Sequence, residues 1–517
     1  MQETTSINTQ QIINSKRIAF NTIIVYFRLF IVTVIGLVST RLVLKMLGVG
    51  DYGLYNVVGG IIVILNVFCT AMSTTTRRYI NVEMGKSGGN VNKVFNICIK
   101  LHVLISIIFF ILAEIIGLYY IYNFLNVETS RISDCVYIYN ISLITSCLSL
   151  INVPYQSTLN AHERFFDTAL IDIITNLTRI VLIYLLYIRG GALLRLYAIV
   201  MCATTILSLL LYYLRCYSKC RSDVKLNNYK DNNLSKEILV FNNYTTLGAV
   251  SYMTRTQGAN LVINFFFNTI INGAYAIAYQ IESYLILLVS NLTVASAPQI
   301  TQSYSAGDIR TSMNLVMKMN KLSILMMLLI CFSVIIELPF LLEVWLGSVP
   351  DNVVLLSSLT IVSAFIRSLG EGIPPLIQAS GKIKWFQLIS SMFTLLDLPI
   401  AIVFFIFGFP PQTIIIVFCI SSLANRVTNI YLLYRILKFD VPLFLRTSYL
   451  PVLKVLPFFV VYFIFYKRIL LTTTTVAHVF GLLVSIAFAS ALTLFIGFDK
   501  YERKTVINMV KSKIKTI

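Results

Sequence analysis

Apolar runs of roughly 20 residues, the length that crosses a bilayer as a helix, recur along nearly the whole chain, and this removes most folds from consideration. Only helices and closed barrels satisfy every backbone group inside hydrocarbon. Fourteen spans are expected, at about 18–47, 52–75, 97–122, 135–160, 168–188, 192–214, 241–267, 270–297, 317–341, 353–378, 385–407, 411–434, 449–466 and 475–497. Composition agrees: 57% of the 517 residues are hydrophobic and 12% charged, against about 25% charged in soluble domains. Mean hydropathy is +0.81. The expected fold class is an all-α polytopic membrane protein.

The net charge of +19 is accounted for by topology, so no nucleic-acid partner is expected. Twenty-nine of the 41 Lys and Arg fall in connections on the side of the N-terminus, Arg77 and Arg78 among them, and six on the other side. By the positive-inside rule both termini are cytoplasmic. Lys16 and Arg17 precede an apolar stretch longer than a signal-peptide core, with no cleavage signature, so the first span is expected to be retained. From Asp499 to Ile517 the apolar residues Val506, Ile507, Val510 and Ile514 share a helical face among lysines, which reads as a basic amphipathic helix on the phospholipids of the inner leaflet.

An internal duplication organises the spans. Val153 to Phe166 and Ile373 to Phe386 share an order: an apolar residue, a proline, a polar basic turn, then two aromatics. The same offset of 220 sets Gly53-Leu54-Tyr55 over Gly273-Ala274-Tyr275 and Arg215 over Arg435. The expected division is a first lobe at 1–220 (spans 1 to 6), a second at 221–440 (spans 7 to 12), and two added spans with the tail at 441–517. Six is even, so both repeats enter the membrane from the same side and are parallel, with a substrate site expected between them. The proline of each corner admits a helix bend.

Six arginines fall inside spans: Arg28, Arg41, Arg179, Arg255, Arg367 and Arg426. Each costs roughly 2.5 to 3.5 kcal/mol at mid-bilayer unless paired or wetted. Arg367 and Glu371 are spaced for an i,i+4 ion pair, and Asp172 and Arg179 lie two turns apart on one face with Asn176 between them. Arg41, near Lys45, and Arg426, near Asn425 and Asn429, can snorkel to a span end. Arg28 and Arg255 sit mid-span in the first helix of each repeat with no acid nearby in their own helix. They point to a positively charged, water-filled cavity, or else to pairing with acids on other helices such as Glu282 or Asp397. Glu282 and Asp397 are also the candidates for a coupling-cation site. Tyr55, Asn56, Tyr275 and Gln280 are weak candidates for sugar contacts, since aromatics at helical spacing are more often packing.

No enzymatic activity, metal or cofactor is expected. Gly85-Lys86-Ser87 has the tail of a P-loop, but Ile80 stands where the first glycine belongs and no strand precedes it. His102, His162 and His478 are far apart, and Cys216 and Cys220 lack companion ligands.

The segment from Arg41 through Leu47-Gly48-Val49-Gly50-Asp51-Tyr52-Gly53-Leu54-Tyr55 to Gly60, continuing to Ser73-Thr74-Thr75-Thr76-Arg77-Arg78-Tyr79, resembles the multidrug/oligosaccharidyl-lipid/polysaccharide exporter superfamily. More narrowly it is similar to bacterial Wzx-type flippases of O-antigen or capsule repeat units. The resemblance covers residues 17–500. It implies two MATE-like lobes that rock about a central cavity in the bacterial inner membrane. It implies an undecaprenyl-diphosphate-linked oligosaccharide as the molecule moved to the periplasmic leaflet, and admits other polysaccharide-assembly proteins as partners. The cavity arginines suit a diphosphate, since guanidinium pairs phosphate bidentately. Either a coupling cation (H+ or Na+) or the membrane potential could drive export, the latter supplying roughly 4 to 5 kcal/mol per 100 mV for two negative charges. The rival expectations are a cation-coupled drug antiporter of the same fold and a peptidoglycan-precursor flippase. A membrane glycosyltransferase or polymerase is disfavoured by the short outward connections.

Overall fold

The structure, a computed structural model, describes residues 2–123, 129–190, 193–267, 269–346, 349–469, 475–500 and 502–504. All regular structure among them is helical, in the order α1 (Gln2–Gly85), α2 (Val91–Asn123), α3 (Ile132–Ala161), α4 (Phe165–Arg189), α5 (Leu193–Lys219), α6 (Arg221–Val224), α7 (Asn232–Phe266), α8 (Thr269–Ser305) and α9 (Ile309–Ile336). Then follow α10 (Leu338–Leu346), α11 (Val353–Ser368), α12 (Ile373–Ser380), α13 (Ile383–Ile406), α14 (Thr413–Leu437), α15 (Val441–Phe444), α16 (Leu450–Ile469) and α17 (Thr475–Leu492). Among the described residues ten helices are long and apolar enough to cross a membrane, and the pair α11 and α12, bent by 41°, makes eleven.

The other three of the fourteen expected passes come from α1 and α7. A straight helix as long as α1, 84 residues, would reach about 126 Å. Yet Asn21 donates to Glu163, and Gln302 ties Asn81 to the carbonyl of Ala161, so both parts of α1 arrive at one corner. Asp51, between them, pairs instead with Arg131 at the opposite end of α3. The run therefore reverses direction and makes two passes. α7 is helical throughout but too polar to stand out, with Asn242, Tyr244, Thr245, Ser251, Thr254, Arg255, Gln257 and Asn260 along it.

The backbone records the duplication more sharply than the side chains do. Left-handed residues end helices at Gly88, Glu163 and Gly190, and again at Gly307, Gly381 and Gly408. Subtracting the paired numbers gives offsets of 219, 218 and 218. The residue after the middle corner has φ −83 and ψ 53 in one copy (Arg164) and φ −83 and ψ 51 in the other (Lys382). The 220-residue register is thus corrected by one at the first corner and by two at the others. The prolines diverge: α3 runs unbroken through Pro154, whereas the second copy breaks after Ser368 and restarts with Pro374 and Pro375 in its first turn.

The chain packs as two compact units, residues 1–250 with 297–308, and residues 251–296 with 309–517. The first buries Phe95, Tyr139, Leu143, Leu159 and Tyr212. The second buries Tyr275, Ile361, Ile414 and Phe418. It also includes α16 and α17, and two buried charges, Lys321 in α9 and Glu337 just past its end, tie down this C-terminal part. Lys321 reaches Glu502 at 2.6 Å, and Glu337 accepts from Tyr466 and from His478 at 2.8 Å. Sixteen positions of helix separate Lys321 from Glu337, about 24 Å, so the pair is fastened near both membrane borders. The amphipathic tail expected to follow lies, from residue 505 onward, outside the described residues.

Candidate functional site

Within the first unit, α1, α3, α4 and α5 enclose a cavity of about 470 Å³. Three of the helices line it with the same spacing, i, i+3, i+4, i+7: Thr70, Ser73, Thr74 and Arg77 on α1; Ser149, Asn152, Val153 and Gln156 on α3; Asp172, Thr175, Asn176 and Arg179 on α4. That spacing is one face of a helix, here polar where a lipid-facing helix would be apolar. Thr204, Thr205 and Ser208 complete the wall from α5. Arg179 lies fourteen residues into α4, about 21 Å from its start, and Arg77 eight residues before the end of α1, about 12 Å from it, so the cavity runs from near the helix ends toward their middle.

Its charges are not balanced by its own lining. Asp172 pairs with Arg28 at 3.4 Å and accepts from the buried Tyr212 hydroxyl at 2.9 Å. Arg179 spends one donor on Asn176 at 3.4 Å, and its Nε is buried without a partner. Arg77 makes no hydrogen bond and no ion pair with any described residue. The neighbouring Arg78 points elsewhere, stacked on Tyr79 and Phe241 at 4.4 and 4.7 Å. Two guanidiniums with donors unspent therefore face a hydroxyl- and amide-lined space.

The other arginines singled out in the sequence are differently placed. Arg255 pairs with Asp397 at 3.3 Å and lies 4.0 Å over the Phe418 ring, with side-chain exposures of 9% and 0% for the pair. Arg28 and Arg255 thus both find acids on other helices. Arg367 does not pair with Glu371, because α11 ends at Ser368 and the i,i+4 register is lost; it donates to the Tyr252 hydroxyl at 3.0 Å and covers that ring. Asp172 and Arg179, likewise, turn to Arg28 and Asn176 and not to each other. Arg426 fills the break between α11 and α12, so close to Gly370 that a Cβ there would come within 2.8 Å of its guanidinium. A cation at the carboxyl end of α11 complements the helix dipole.

Glu282 is buried and accepts from Ser363 at 2.9 Å. Tyr275 is 2% exposed inside the apolar core of the second unit, Tyr55 packs edge-on against Tyr197 at 4.8 Å, and the exposed Gln280 side chain donates to the Tyr284 hydroxyl at 3.4 Å. None of these three lines the cavity. The side chains of Arg41 and Asn56 are outside the described residues.

The α3–α4 corner, outside the spans, carries a titratable pair. His162 Nε2 meets Asp223 at 2.7 Å. The hydrogen bond raises His162 to about 9 and holds Asp223 below the usual carboxylate range. The segment after it is strapped to α2 by Asn92, Asn96 and Lys100, which bond the backbone of residues 223–229 at 2.7–3.0 Å.

Arg77 was missed as a site residue because it precedes Arg78 near a span end and reads as one of the inner-side cations. The signal that could have found it is the stripe Thr70, Ser73, Thr74, Arg77.

No family model matches the chain, and no curated protein sequence does. Solved structures do. A MATE point mutant superposes with a TM-score of 0.72 at 14% identity, over 84% of this chain and 97% of that one. An outward-facing multidrug resistance MATE family transporter of the MOP superfamily gives 0.70 at 14%, over 83% and 96%. A MOP superfamily transporter from Pyrococcus furiosus, whose binding pocket is described as of reverse polarity, gives 0.66 at 13%, over 83% and 97%. At these identities the likeness is one of fold, and the fold is that of the MATE transporters of the MOP superfamily.

Proposed function

We propose that the protein exports a lipid-linked oligosaccharide diphosphate, of the O-antigen or capsule repeat-unit kind, from the inner to the outer leaflet of a bacterial inner membrane. One observation carries the reading: Arg77 and Arg179, with donors unspent, face a cavity of about 470 Å³ walled by hydroxyls and amides, with Arg179 fourteen residues deep in its helix. Ionisable residues at that depth mark substrate paths. Unpaired guanidinium there favours an anion, and the surrounding Ser, Thr, Asn and Gln suit a hydroxylated one. A cationic drug would meet two like charges and no aromatic side chain among the described residues of the wall. Reversed pocket polarity has been taken to suggest a different function for the Pyrococcus furiosus relative in fold, and the same logic applies here. Outward movement of two negative charges is downhill by roughly 4 to 5 kcal/mol per 100 mV, so the membrane potential suffices as the driving force.

The test is complementation. A strain lacking its own repeat-unit flippase should regain surface glycan when it carries this chain, and a drug-sensitive strain should gain no resistance. Drug resistance without glycan would make the protein a drug antiporter. Rescue of a peptidoglycan-precursor flippase mutant alone would move the substrate to that chemically similar lipid.

A further inference from the structure

We propose that residues 505–517 dock on the second unit, seating their apolar face in a cleft beside the first turns of α9, with their lysines toward Asp440. The cleft, of about 430 Å³, lies between α9 and the corner that joins α14 to α15. This surface takes no part in the functional reading above and stands whatever the protein exports.

The cleft offers what an amphipathic segment needs. Ile309, Met313 and Met317 from α9 and Phe439 and Leu443 from the corner make it apolar, and methionines adapt their shape to a partner. Phe439 is buried, whereas Ile309 and Leu443 are 46% and 45% exposed, so the apolar surface is open. Asp440 is the one acid among the described residues of the lining. One of its oxygens caps the Leu443 amide at 3.0 Å, and the other has no hydrogen bond or ion pair with any described residue.

The described chain stops beside this surface. Glu502 meets Lys321 at 2.6 Å, and Arg310, Met313, Met317 and Lys321, spaced i, i+3, i+7 and i+11, share one face of α9. Met317 is four positions from Lys321 and Ile309 twelve, about 6 and 18 Å along the axis. Residues 505–517 would span about 20 Å as a helix, enough to run the length of the cleft. Val506, Ile507, Val510 and Ile514 on one side match its apolar wall, and Lys511, Lys513 and Lys515, with no acid among them, match Asp440. Arg310 repels those lysines from the α9 wall, which leaves them the Asp440 side. A phospholipid phosphate would instead meet an unpaired carboxylate. Attachment adds to the fit, since a tethered segment faces its site at an effective concentration of roughly millimolar.

The experiment uses the full chain in lipid nanodiscs, with the photo-crosslinking residue p-benzoylphenylalanine in place of Val510, and identifies the products by peptide mass spectrometry. Crosslinks should fall on residues 309–317 and 439–443 of the same molecule. Asp440→Lys should lower their yield at least about threefold, the scale of one exposed ion pair, and Lys511→Glu/Lys513→Glu in that background should restore it. Ending the chain at Lys504 should speed hydrogen exchange in residues 309–317 at least about threefold, with the unfolding midpoint unchanged. Adducts with phospholipid in place of the cleft, and exchange indifferent to the truncation, would put the tail on the membrane and overturn the proposal. Crosslinks between two molecules would overturn it as well, by making the cleft an interface between copies. A yield that Asp440→Lys leaves untouched would refute the charge match on which the docking rests.

Discussion

Arg255 and Asp397 form a pair so thoroughly buried that its energetics can be argued to a sign and a size. Replacing Asp397 with Leu strands a guanidinium that cannot give up its charge. Removing one partner of a buried pair costs about 3 to 5 kcal/mol. The stranded Arg255 keeps the Phe418 ring at 4.0 Å, and a desolvated cation–π contact is worth about 2 kcal/mol, so the cost should fall at the low end, about 3 kcal/mol. Replacing Arg255 with Leu strands a carboxyl group instead. A carboxylic acid can take up a proton and become neutral, and the cost drops to that of an unsatisfied polar group, about 1 to 3 kcal/mol. Neither oxygen of Asp397 accepts a well-aligned hydrogen bond even in the intact pair, so the pair itself is poorly compensated. The double variant Arg255→Leu/Asp397→Leu should therefore match the wild type or exceed it by about 1 to 4 kcal/mol. Reversible unfolding in mixed micelles by SDS titration measures all four forms, with export measured in parallel. Additive losses in the double variant would refute the electrostatic argument. A stable double variant that no longer exports would return Arg255 to the substrate path.

The corner pair makes stability depend on pH in a stated direction. His162 is raised from 6.5 to about 9 in the folded protein, so its contribution is complete below 6.5 and is lost as pH rises through 9; that of Asp223, whose folded value is depressed, is present above the ordinary carboxylate range and lost on acidification. Hydrogen exchange in residues 220–231 should accelerate between pH 7 and 10 in the wild type, and His162→Gln should flatten that profile. Gly481→Ala would drive a Cβ into the Tyr466 hydroxyl oxygen that bonds Glu337. Overpacking of this kind costs about 1 to 3 kcal/mol, and the loss should appear as earlier unfolding of α17 in the same SDS titration; an unchanged midpoint would show that the contact does not hold the helix.

Spans and fold class were legible because the bilayer leaves a chain so few choices: a run such as residues 103–121 has nowhere else to go. The duplication was legible through its corners, since a turn that needs positive φ keeps its place even when Gly381 in one copy is Glu163 in the other. Partnerships were legible only in part: Asp397 was one of two acids on other helices offered to Arg255, and Asp172 was not offered to Arg28. Arg28 meets Asp172 and Arg255 meets Asp397 across separations of more than a hundred residues, and spacing within a helix says nothing of that. Local spacing even misled at Arg367, where Gly370 and Gly372 announce the helix break that separates it from Glu371. The cavity was half visible: its three stripes share one periodicity, but Arg77 was credited to the loop that its neighbour Arg78 suggested. The weak sugar candidates Tyr55 and Tyr275 pack against other rings, as large apolar side chains mostly do.

The central claim is that the guanidiniums of the first-unit cavity hold the exported anion. It is tested most directly by reconstituting the full chain in proteoliposomes and measuring leaflet transfer of a fluorescent undecaprenyl-diphosphate-linked saccharide. Arg77→Ala and Arg179→Ala should each slow transfer at least tenfold, the loss of one charge-assisted contact worth about 1.5 to 3 kcal/mol, while Arg255→Leu/Asp397→Leu transfers normally. Wild-type rates in the Arg77→Ala/Arg179→Ala double variant would contradict the claim.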